Sequence, residues 1–469
     1  MNKKIFFALT IYLALSGGCT LAPEYKRPQA PIPGKWSIQP SSESTASQSN
    51  KSAVNDTPWR KMITDDKLRE VIEIALANNR DLRLAALNVK RARAVYGIQR
   101  AALFPAIDAT AGGSKQRIPA AISATGNAQT PEQYYVNLGV MSWEVDFFGR
   151  IRSLRHSALE SFLATEQARR AAQILTISSV TDAYLSLAAD RQSLGLASSS
   201  FQTEKKLLSL VQQQYEVGLA SEIDVAREQT LVDAARSDMF RDIQQVAKDE
   251  NALNFLTGSP IPDRLQPESL NRIAGFTQLF PDLSSKVLLQ RPDVLEAESL
   301  LKAANANIGA ARAALFPSIS LTATTGTASN ELSGLFTSGS ETWNFAPQIN
   351  IPIFNAGLWS ALTVTKTDRE IALTQYEKVI QAAFREVADA LAVRGTVDEQ
   401  IAAQQSLVNA SNRVWALSEA RFQEGIDSYL GVLDARRSLY AAQQGLVGLQ
   451  LVKMTNQIQL YAVLGGGAD

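Results

Sequence analysis

The sequence contains little of the chemistry on which disulfide-bonded proteins, metalloproteins and most enzymes depend. Its 469 residues include a single cysteine, Cys19, and a single histidine, His156. One chain therefore cannot form an internal disulfide or a Cys/His zinc site, and neither a metal nor another cofactor is expected. A Ser-His-Asp triad could use only His156, which the surrounding pattern places at a polar position of a helix. With no Walker loop, H-E-x-x-H motif or nucleophile elbow in the sequence, we do not expect an enzyme.

The sequence also has no excess of charge of either sign. Lysine and arginine together number 46, aspartate and glutamate together number 46, and the formal net charge is zero. Nothing in this balance indicates a nucleic-acid partner or an acidic substrate. Hydrophobic residues make up 45% of the chain and charged residues 20%, which is typical of a large packed structure rather than of a disordered chain.

Proline is missing from two long stretches, between Pro131 and Pro260 and after Pro352. Both stretches are rich in alanine, leucine, glutamine, glutamate, arginine and lysine, all of them good helix formers. We therefore predict long helices paired with shorter returning ones, the longest about 100 Å at 1.5 Å per residue. Taken alone, these segments fit a soluble coiled coil equally well. The predicted helices run from about Arg150 to Val217, from about Glu222 to Leu256 and from about Tyr429 to Leu464.

The N-terminus has the pattern of a secretory signal. A basic start is followed by a short apolar run and by small residues that end at Cys19. This pattern resembles the bacterial lipoprotein box, in which the cysteine becomes the acylated first residue, although Ser16 stands where leucine is usual. We interpret residues 1–18 as a signal peptide and residues 19–58 as an extended, lipid-anchored segment. An ordinary cleaved signal with an incidental cysteine is the alternative.

The rest of the chain repeats itself. The pentapeptide Ala-Ala-Leu-Phe-Pro occurs at residues 101–105 and again at 313–317. An identical pentapeptide at this spacing predicts two halves with one plan. We expect the first repeat to span residues 59–258 and the second 285–469, joined by a linker at 259–284. Further parallels pair residues 79–82 with 291–294 and residues 215–219 with 422–426.

Each repeat contains a pair of strand-like segments, at about 105–148 and at about 317–354. Apolar and polar residues alternate there, and each segment is about as long as an outer-membrane strand. Four strands cannot close a membrane barrel, because about eight is the smallest number that works. An open sheet would leave backbone groups unpaired in lipid, so two, three or four copies would have to share one barrel. A soluble β-sandwich is the alternative.

Seven short motifs, spread over nearly the whole chain, carry a family resemblance. They are Cys19 with Ala22-Pro23-Glu24-Tyr25, Asn78 to Arg83, Asp146 to Arg150, Ala304 to Arg312, Phe384 to Leu391, Val432 to Ala435 and Leu464 to Gly467. In these motifs the chain resembles the outer-membrane factor family, the TolC-like channels. Within that family it is similar to the lipoprotein (NodT-type) branch that serves resistance-nodulation-division pumps.

The resemblance implies a mixed fold of α-helices and membrane β-strands, a duplicated TolC-like subunit with four strands. Three copies would form a twelve-stranded barrel in the outer membrane, continued by a long α-helical barrel of twelve helices in the periplasm. The expected partners are two further subunits, outer-membrane lipid, a periplasmic membrane-fusion adaptor and an inner-membrane pump of the resistance-nodulation-division type. The implied function is that of a passive exit duct for drugs or other toxic compounds, lipid-anchored at the cell outer membrane. A periplasmic coiled-coil scaffold lipoprotein without a pore is the alternative.

The same resemblance points to two helix turns as periplasmic tips that contact the adaptor. One contains Gly218 and Leu219, and the other contains Gly425 and Ile426. A glycine at such a turn permits the positive φ that a tight helix reversal needs. For each glycine, a helix turn without any contact role is the alternative.

The resemblance also implies a gate at the periplasmic aperture. Family members often carry two acids one turn apart after the second tip, and here those positions hold Gly431 and Asp434. A ring of three Asp434 carboxylates is expected to select cations and to hold the aperture closed. Arg227 and Arg436 are the candidate partners of this ring, and Asp224 lies at the related place in the first repeat. A solvated helix acid is the alternative for Asp434.

Overall fold

The computed structural model describes residues 20–36, 58–277 and 284–466 of the chain. Cys19 lies outside the described residues. Each of the two long proline-free stretches contains one long helix followed by one shorter helix. The α-helices are α1 (Trp59–Met62), α2 (Asp66–Asn78), α3 (Arg80–Ala101), α4 (Arg150–Glu216), α5 (Glu222–Thr257), α6 (Pro292–Ala313), α7 (Ala356–Gln423) and α8 (Tyr429–Val463).

The helices predicted from the proline-free stretches are confirmed, with α4, α5 and α8 matching to within one residue at each end. Among the described residues, no helix combines the length and the apolar character needed to cross a membrane. Short 3₁₀ helices lie in the connecting segments at Ala120–Ile122, Asp263–Leu265, Leu270–Arg272, Ser285–Gln290 and Leu332–Gly334.

Four strands, two from each half of the chain, form one antiparallel sheet. They are β1 (Asp108–Lys115), β2 (Glu132–Val145), β3 (Ser318–Ser329) and β4 (Glu341–Asn350). Their order is β1-β2-β3-β4, so the two halves meet where β2 pairs with β3. The register of that central pair shifts between Val140 and Trp143. Strands β1 and β4 are the edges, and within the described chain each pairs on one side only.

The strand β2 ends before its alternating sequence pattern does. The alternation continues to Phe147, but the strand stops at Val145. The next residue, Asp146, turns its carboxylate to the start of α4 and accepts hydrogen bonds from the backbone N–H groups of Ile151 (3.0 Å) and Arg152 (2.8 Å). This carboxylate satisfies two of the free N–H groups of the helix start, and the segment is thereby lost to the sheet. Strand β4 likewise ends before its alternating pattern.

Glycines allow the neighbouring strands β1 and β3 to lie close against β2. A Cβ atom at Gly326 of β3 would lie 2.0 Å from the carbonyl oxygen of Val136, so no larger residue fits there. In β1, Gly112 is paired in register with Tyr135, whose ring occupies the space that a side chain at Gly112 would need. Because a slip of one residue would put side chains into these spaces, the glycines help to fix the strand register.

The chain divides into two compact units. We call the first the strand unit, because it contains all four described strands, and the second the helix unit, because it contains both turns between long helices. Of the described residues, 20–29, 88–166 and 296–376 belong to the strand unit, and 30–36, 58–87, 167–277, 284–295 and 377–466 belong to the helix unit.

In the strand unit, residues 20–29 form a strap without helix or strand that is fastened to α6. The buried carboxylate of Glu298 accepts a hydrogen bond from Nε of Arg27 (2.9 Å). About two turns further along α6, Nδ2 of Asn305 donates to the carbonyl oxygen of Pro23 (2.7 Å). Since an unpaired buried carboxylate is costly, the contact with Glu298 ties the strap firmly to the helix.

In the helix unit, the same joint occurs once in each half of the chain. Asn79, just before α3, donates from Nδ2 to the carbonyl oxygen of Leu256 (2.8 Å), in the last turn of α5. Arg291, just before α6, donates from Nη1 to the carbonyl oxygen of Val463 (2.7 Å), the last residue of α8. Each side chain satisfies one of the carbonyls that a helix end leaves free. Asn79 and Arg291, which occupy parallel positions in the sequence, therefore both cap the end of the shorter helix of their half of the chain.

Candidate functional site

The turn between α4 and α5, residues 217–221, is called the first tip. Gly218 has a φ of +78°, in the left-handed region that favours glycine. Its N–H donates to the carbonyl oxygen of Tyr215 (3.0 Å), and the N–H of Leu219 donates to that of Gln214 (2.7 Å). These two bonds form a Schellman motif, which ends α4 and satisfies two of its last carbonyls. The side chain of Leu219 is left 80% exposed.

The turn between α7 and α8, residues 424–428, is called the second tip and has the same backbone. Gly425 has a φ of +71°, and its N–H donates to the carbonyl oxygen of Phe422 (2.9 Å). The N–H of Ile426 donates to the carbonyl oxygen of Arg421 (2.9 Å). Positive φ at both turn glycines confirms the prediction from the sequence. Ile426, like its counterpart at the first tip, is a largely exposed apolar side chain at 62%.

The first tip is fastened by a capping box at the start of α5. Oγ of Ser221 accepts a hydrogen bond from the backbone N–H of Asp224 (3.3 Å). In return, Oδ2 of Asp224 accepts from the backbone N–H of Ser221 (3.0 Å) and from its hydroxyl (2.6 Å). These hydrogen bonds from Ser221 lower the pKa of Asp224, and the charge of Arg227 adds to the effect. The carboxylate of Asp224 therefore serves the cap of its own helix.

The second tip lacks this box. Ser428 precedes α8 as Ser221 precedes α5, but its side chain makes no capping hydrogen bond. Gly431 stands where Asp224 stands in the first half, so this position provides no carboxylate to complete a capping box. Instead, Nε of Arg421 at the end of α7 donates to Oδ2 of Asp427 (2.5 Å), and Nη2 donates to Oδ1 (3.1 Å). The Arg421 guanidinium thereby lowers the pKa of Asp427.

The gate candidate Asp434 lies in the second turn of α8 with its side chain exposed. Among the described residues of one protomer it forms no ion pair. Gly431, one turn earlier, is exposed as well, and a Cβ atom there would meet nothing within 4 Å. The two positions therefore lie on one exposed stretch of the helix, and a single acid occupies it.

The two arginines predicted to be partners of Asp434 lie elsewhere in the protomer. Arg436 forms an ion pair with Glu204 of α4, with 2.5 Å between Nη2 and Oε1, and the two side chains are 10% and 9% exposed. Arg227 is exposed on α5, where its charge acts on Asp224. Within the described residues, neither arginine is paired with Asp434.

Arg436 belongs to a buried polar cluster that was not predicted from the sequence. The cluster joins Glu204 of α4, Glu228 of α5 and two residues of α8, Tyr429 and Arg436. Glu228 is fully buried and accepts a hydrogen bond from the hydroxyl of Tyr429, with 2.8 Å between Oη and Oε2. We call these four residues the tip cluster, because they attach α8, the helix after the second tip, to α4 and α5, which together form the first hairpin.

The electrostatics of the tip cluster are set by burial. Burial and the neighbouring Glu228 raise the pKa of Tyr429 well above its usual range. Burial, opposed by Arg436 and assisted by Glu228, raises the pKa of Glu204 to about 7. Near neutral pH the cluster therefore stands close to a change of protonation.

A signal for the tip cluster was present in the sequence. Glu228 is spaced three and four residues from Leu231 and Val232, which are buried, so it lies on the apolar face of its helix. Arg436 has the same relation to Val432 and Leu433. Charged residues on an apolar face need a partner, but helical spacing alone could not say which helix supplies it.

Comparisons with known proteins agree with one another. The model of the outer membrane efflux protein family matches residues 71–259 and 283–466. The probable efflux pump outer membrane protein TtgC of Pseudomonas putida is 46% identical over 466 residues, covering 99% of this chain and 96% of that protein. The crystal structure of a membrane protein from Pseudomonas aeruginosa is similar with a TM-score of 0.89 and 37% identity, covering 96% of this chain and 98% of that one. The open state of the Neisseria gonorrhoeae MtrE outer membrane channel is similar with a TM-score of 0.84 and 35% identity, covering 96% and 99% of the two chains.

Proposed function

The chain belongs to the outer membrane efflux protein family, and from this premise we propose that three copies of it form one passive export duct. It is an outer-membrane efflux channel protein with a large helical periplasmic part. The observation that carries the proposal is the four-stranded sheet, whose edges β1 and β4 have no partner within the described chain.

Closure of the sheet requires further copies. Four strands are too few for a barrel, and unpaired edge groups in lipid cost several kcal/mol each. Successive strands alternate in direction, so β1 and β4 run opposite ways, and β4 of one copy can pair antiparallel with β1 of the next. Three copies give twelve strands, a number that leaves a lumen rather than a core filled by side chains. A coiled-coil scaffold without a pore leaves these edges unexplained.

We propose that the tips dock on a periplasmic adaptor. An inner-membrane pump of the resistance-nodulation-division type would deliver the exported compounds to this adaptor. TtgC, the relative in Pseudomonas putida, is named as the outer membrane protein of an efflux pump. The exposed apolar residues Leu219 and Ile426, each one residue after the turn glycine, offer such a partner an apolar contact in both tips. Gly218 and Gly425 fix the direction in which these side chains point.

We propose further that Asp434 lines the aperture in the trimer. An exposed acid that forms no ion pair with the described residues of its own protomer can face the same acid of two neighbours. Three carboxylates in a ring attract cations and repel anions. Because Gly431 adds no second ring, the selectivity is expected to depend on Asp434 alone.

The proposal also covers the lipid anchor, the two repeats and the exported compounds. Cys19 is the proposed acylation site, and the strap that begins one residue later would lead from the lipid to α6. The repeats are proposed to span residues 59–258 and 285–469, a division that the two family matches support. Relatives that are 46% identical are named for antibiotic and toluene efflux, so organic toxic compounds are the proposed cargo. The duct itself would catalyse no reaction.

Purified protein in planar lipid bilayers tests this function. The wild type is expected to form a heat-resistant trimer and to carry a cation-selective current. The variant Asp434→Asn should conduct with weaker selectivity for cations, whereas Asp233→Asn, at an exposed acid of α5, should leave the selectivity unchanged. If neither the wild type nor Asp434→Asn carries current, the duct is wrong and the scaffold alternative is favoured.

A further inference from the structure

Three helices bring the four side chains of the tip cluster together. Glu204 comes from α4, Glu228 from α5, and Tyr429 and Arg436 come from the start of α8. Glu228 is fully buried, and the side chains of Glu204 and Arg436 are nine-tenths buried or more. A polar group so placed is costly unless each of its atoms finds a hydrogen-bond partner.

Some buried polar atoms of the tip cluster have no hydrogen-bond partner among the described residues. The hydroxyl of Tyr429 donates to Oε2 of Glu228, and Nη2 of Arg436 forms an ion pair with Oε1 of Glu204. The remaining buried atoms, Oε2 of Glu204, Oε1 of Glu228 and Nη1 of Arg436, have no hydrogen-bond partner among residues 20–36, 58–277 and 284–466. Glu204 and Glu228 are close enough to hydrogen-bond each other, but two ionised carboxylates have only acceptors and cannot.

The charges of the tip cluster do not balance either. Two ionised glutamates and one arginine leave a net charge of minus one in a largely buried site. One added proton makes the cluster neutral, and it also supplies the donor that the facing carboxylates lack. A single proton would therefore both neutralise the cluster and provide the missing hydrogen-bond donor.

We propose that Glu204 and Glu228 form a one-proton site that holds the start of α8 against the first hairpin and releases it when the proton is lost. The proposal rests on the duct function, because α8 also carries the gate candidate Asp434. The chemical class of the ligand is the proton, which is exchanged with the solvent around the tips.

The direction of the pH dependence follows from burial. Burial, opposed by Arg436 and assisted by the facing Glu228, raises the pKa of Glu204 from its ordinary 4.5 to about 7. Tyr429 from α8 stays neutral in this range, because burial raises its pKa. An acid with a raised pKa in the closed state stabilises that state at low pH, and the stabilisation is lost as the pH rises through about 7. The release of α8 should therefore increase by about tenfold between pH 6 and pH 8 if the released carboxyl has its ordinary pKa.

Infrared titration of the full-length trimer in detergent tests the proton itself. The band of a protonated carboxyl group should be present at pH 6 and disappear with a midpoint near pH 7. Burial also raises the pKa values of Asp182 to about 6 and, together with the neighbouring Asp249, of Asp190 to about 7. The difference between the wild type and Glu204→Gln isolates the cluster from these groups. An identical carboxyl band in the two proteins would overturn the proposal.

Amide hydrogen exchange tests the release of α8. After correction for intrinsic rates, peptides from 429–440 should exchange about tenfold faster at pH 8 than at pH 6 in the wild type. In Glu204→Gln, whose amide imitates the protonated acid, exchange should be slow at both pH values. Glu216→Gln, at an exposed position of the same helix, should behave like the wild type. If Glu204→Gln does not fold, Glu228→Gln removes the same shared proton, and equal pH dependence in wild type and variant would overturn the proposal.

Bilayer recordings separate this inference from the duct function. The open probability of the wild type should rise between pH 6 and pH 8, and that of Glu204→Gln should stay at the low value. If the open probability of Glu204→Gln still depends on pH, the proposal of a proton site is wrong, but the proposed duct function is not affected. Absence of any pore would contradict the duct, while the infrared and exchange results would still decide the proton site.

Discussion

The first tip and the second tip have the same five-residue backbone turn but are fastened by different side chains. In each, a left-handed glycine closes the long helix through the same pair of hydrogen bonds. The first tip then uses the Ser221 and Asp224 capping box, which lies within one helix. The second tip has Gly431 in place of the acid and uses the ion pair of Arg421 and Asp427, which joins the end of one helix to the turn.

This difference gives α8 a weaker start than α5. A capping box satisfies free N–H groups by short local bonds, whereas an exposed ion pair is weakened by solvent and salt. Gly431 also lowers the helix propensity of the first turn of α8. The start of α8 therefore depends on the tip cluster, which belongs to three helices. Of the two tips, the second is the one that a change elsewhere in the molecule can loosen.

The largest expected effect comes from the variant Arg436→Ala. It leaves Glu204 and Glu228 buried without a cation, and removal of one partner of a buried pair typically costs about 3–5 kcal/mol. Hydrogen exchange of peptides from 429–440 should accelerate by about a hundredfold or more, and peptides of the first tip by much less. The control is Arg437→Ala, an exposed neighbour on the same helix, which should change exchange by a few tenths of a kcal/mol. An equal effect of the two variants would contradict the role of the tip cluster.

The two turn glycines should respond alike, because the two turns share one backbone. Gly218→Ala and Gly425→Ala each put a side chain on a left-handed residue, at a cost of about 1–2 kcal/mol. A Cβ atom at either glycine meets nothing within 4 Å, so the cost is that of the backbone alone. The measurement is hydrogen exchange in the last turn of α4 and of α7.

Gly195→Ala is the matched control for both turns. Gly195 lies inside α4, and a Cβ atom there also meets nothing within 4 Å, so alanine should stabilise the helix by about 0.5–1 kcal/mol. A destabilisation at Gly195 as large as at the turns would show that crowding by the added methyl group, and not the left-handed backbone, causes the cost.

Local signals predicted the parts of the structure that local interactions determine. The prolines and the turn glycines were sufficient for the ends of α4, α5 and α8, because a helix end depends on residues within one turn. The strand β2 was predicted too long at its end, because a carboxylate cap competes with the strand pattern there. The partner of Arg436 was not predictable, because Glu204 lies in the other half of the chain and reaches it only when α4 and α8 pack together.

The capping difference predicts unequal effects of two matched serine variants. Ser221→Ala removes a capping hydrogen bond and should destabilise the start of α5 by about 1 kcal/mol. Ser428→Ala removes no such bond and should change the start of α8 by only a few tenths of a kcal/mol. Because the folded-state pKa of Asp224 is lowered, the contribution of the first cap is present at neutral pH and is lost in acid, below the ordinary value of 3.8. Exchange measured at pH 7 should show the difference, and equal effects of the two serine variants would contradict it.

The smallest expected effect is also the one that tests the second tip most directly. Arg421→Gln gives the second tip the residue that the first tip carries at Gln214, and it removes the ion pair with Asp427. An exposed pair contributes about 0.2–1 kcal/mol, so exchange of residues 424–430 should accelerate by about threefold at low salt. At about 1 M salt the screening length falls to about 3 Å, and the variant and the wild type should then exchange alike. The first tip serves as the internal control, because its capping box contains no cation and should not respond to salt in this way. If the variant has no effect at low salt, the ion pair contributes nothing measurable, and the weakness of the second tip must come from Gly431, which Gly431→Asp would then reverse by restoring the box.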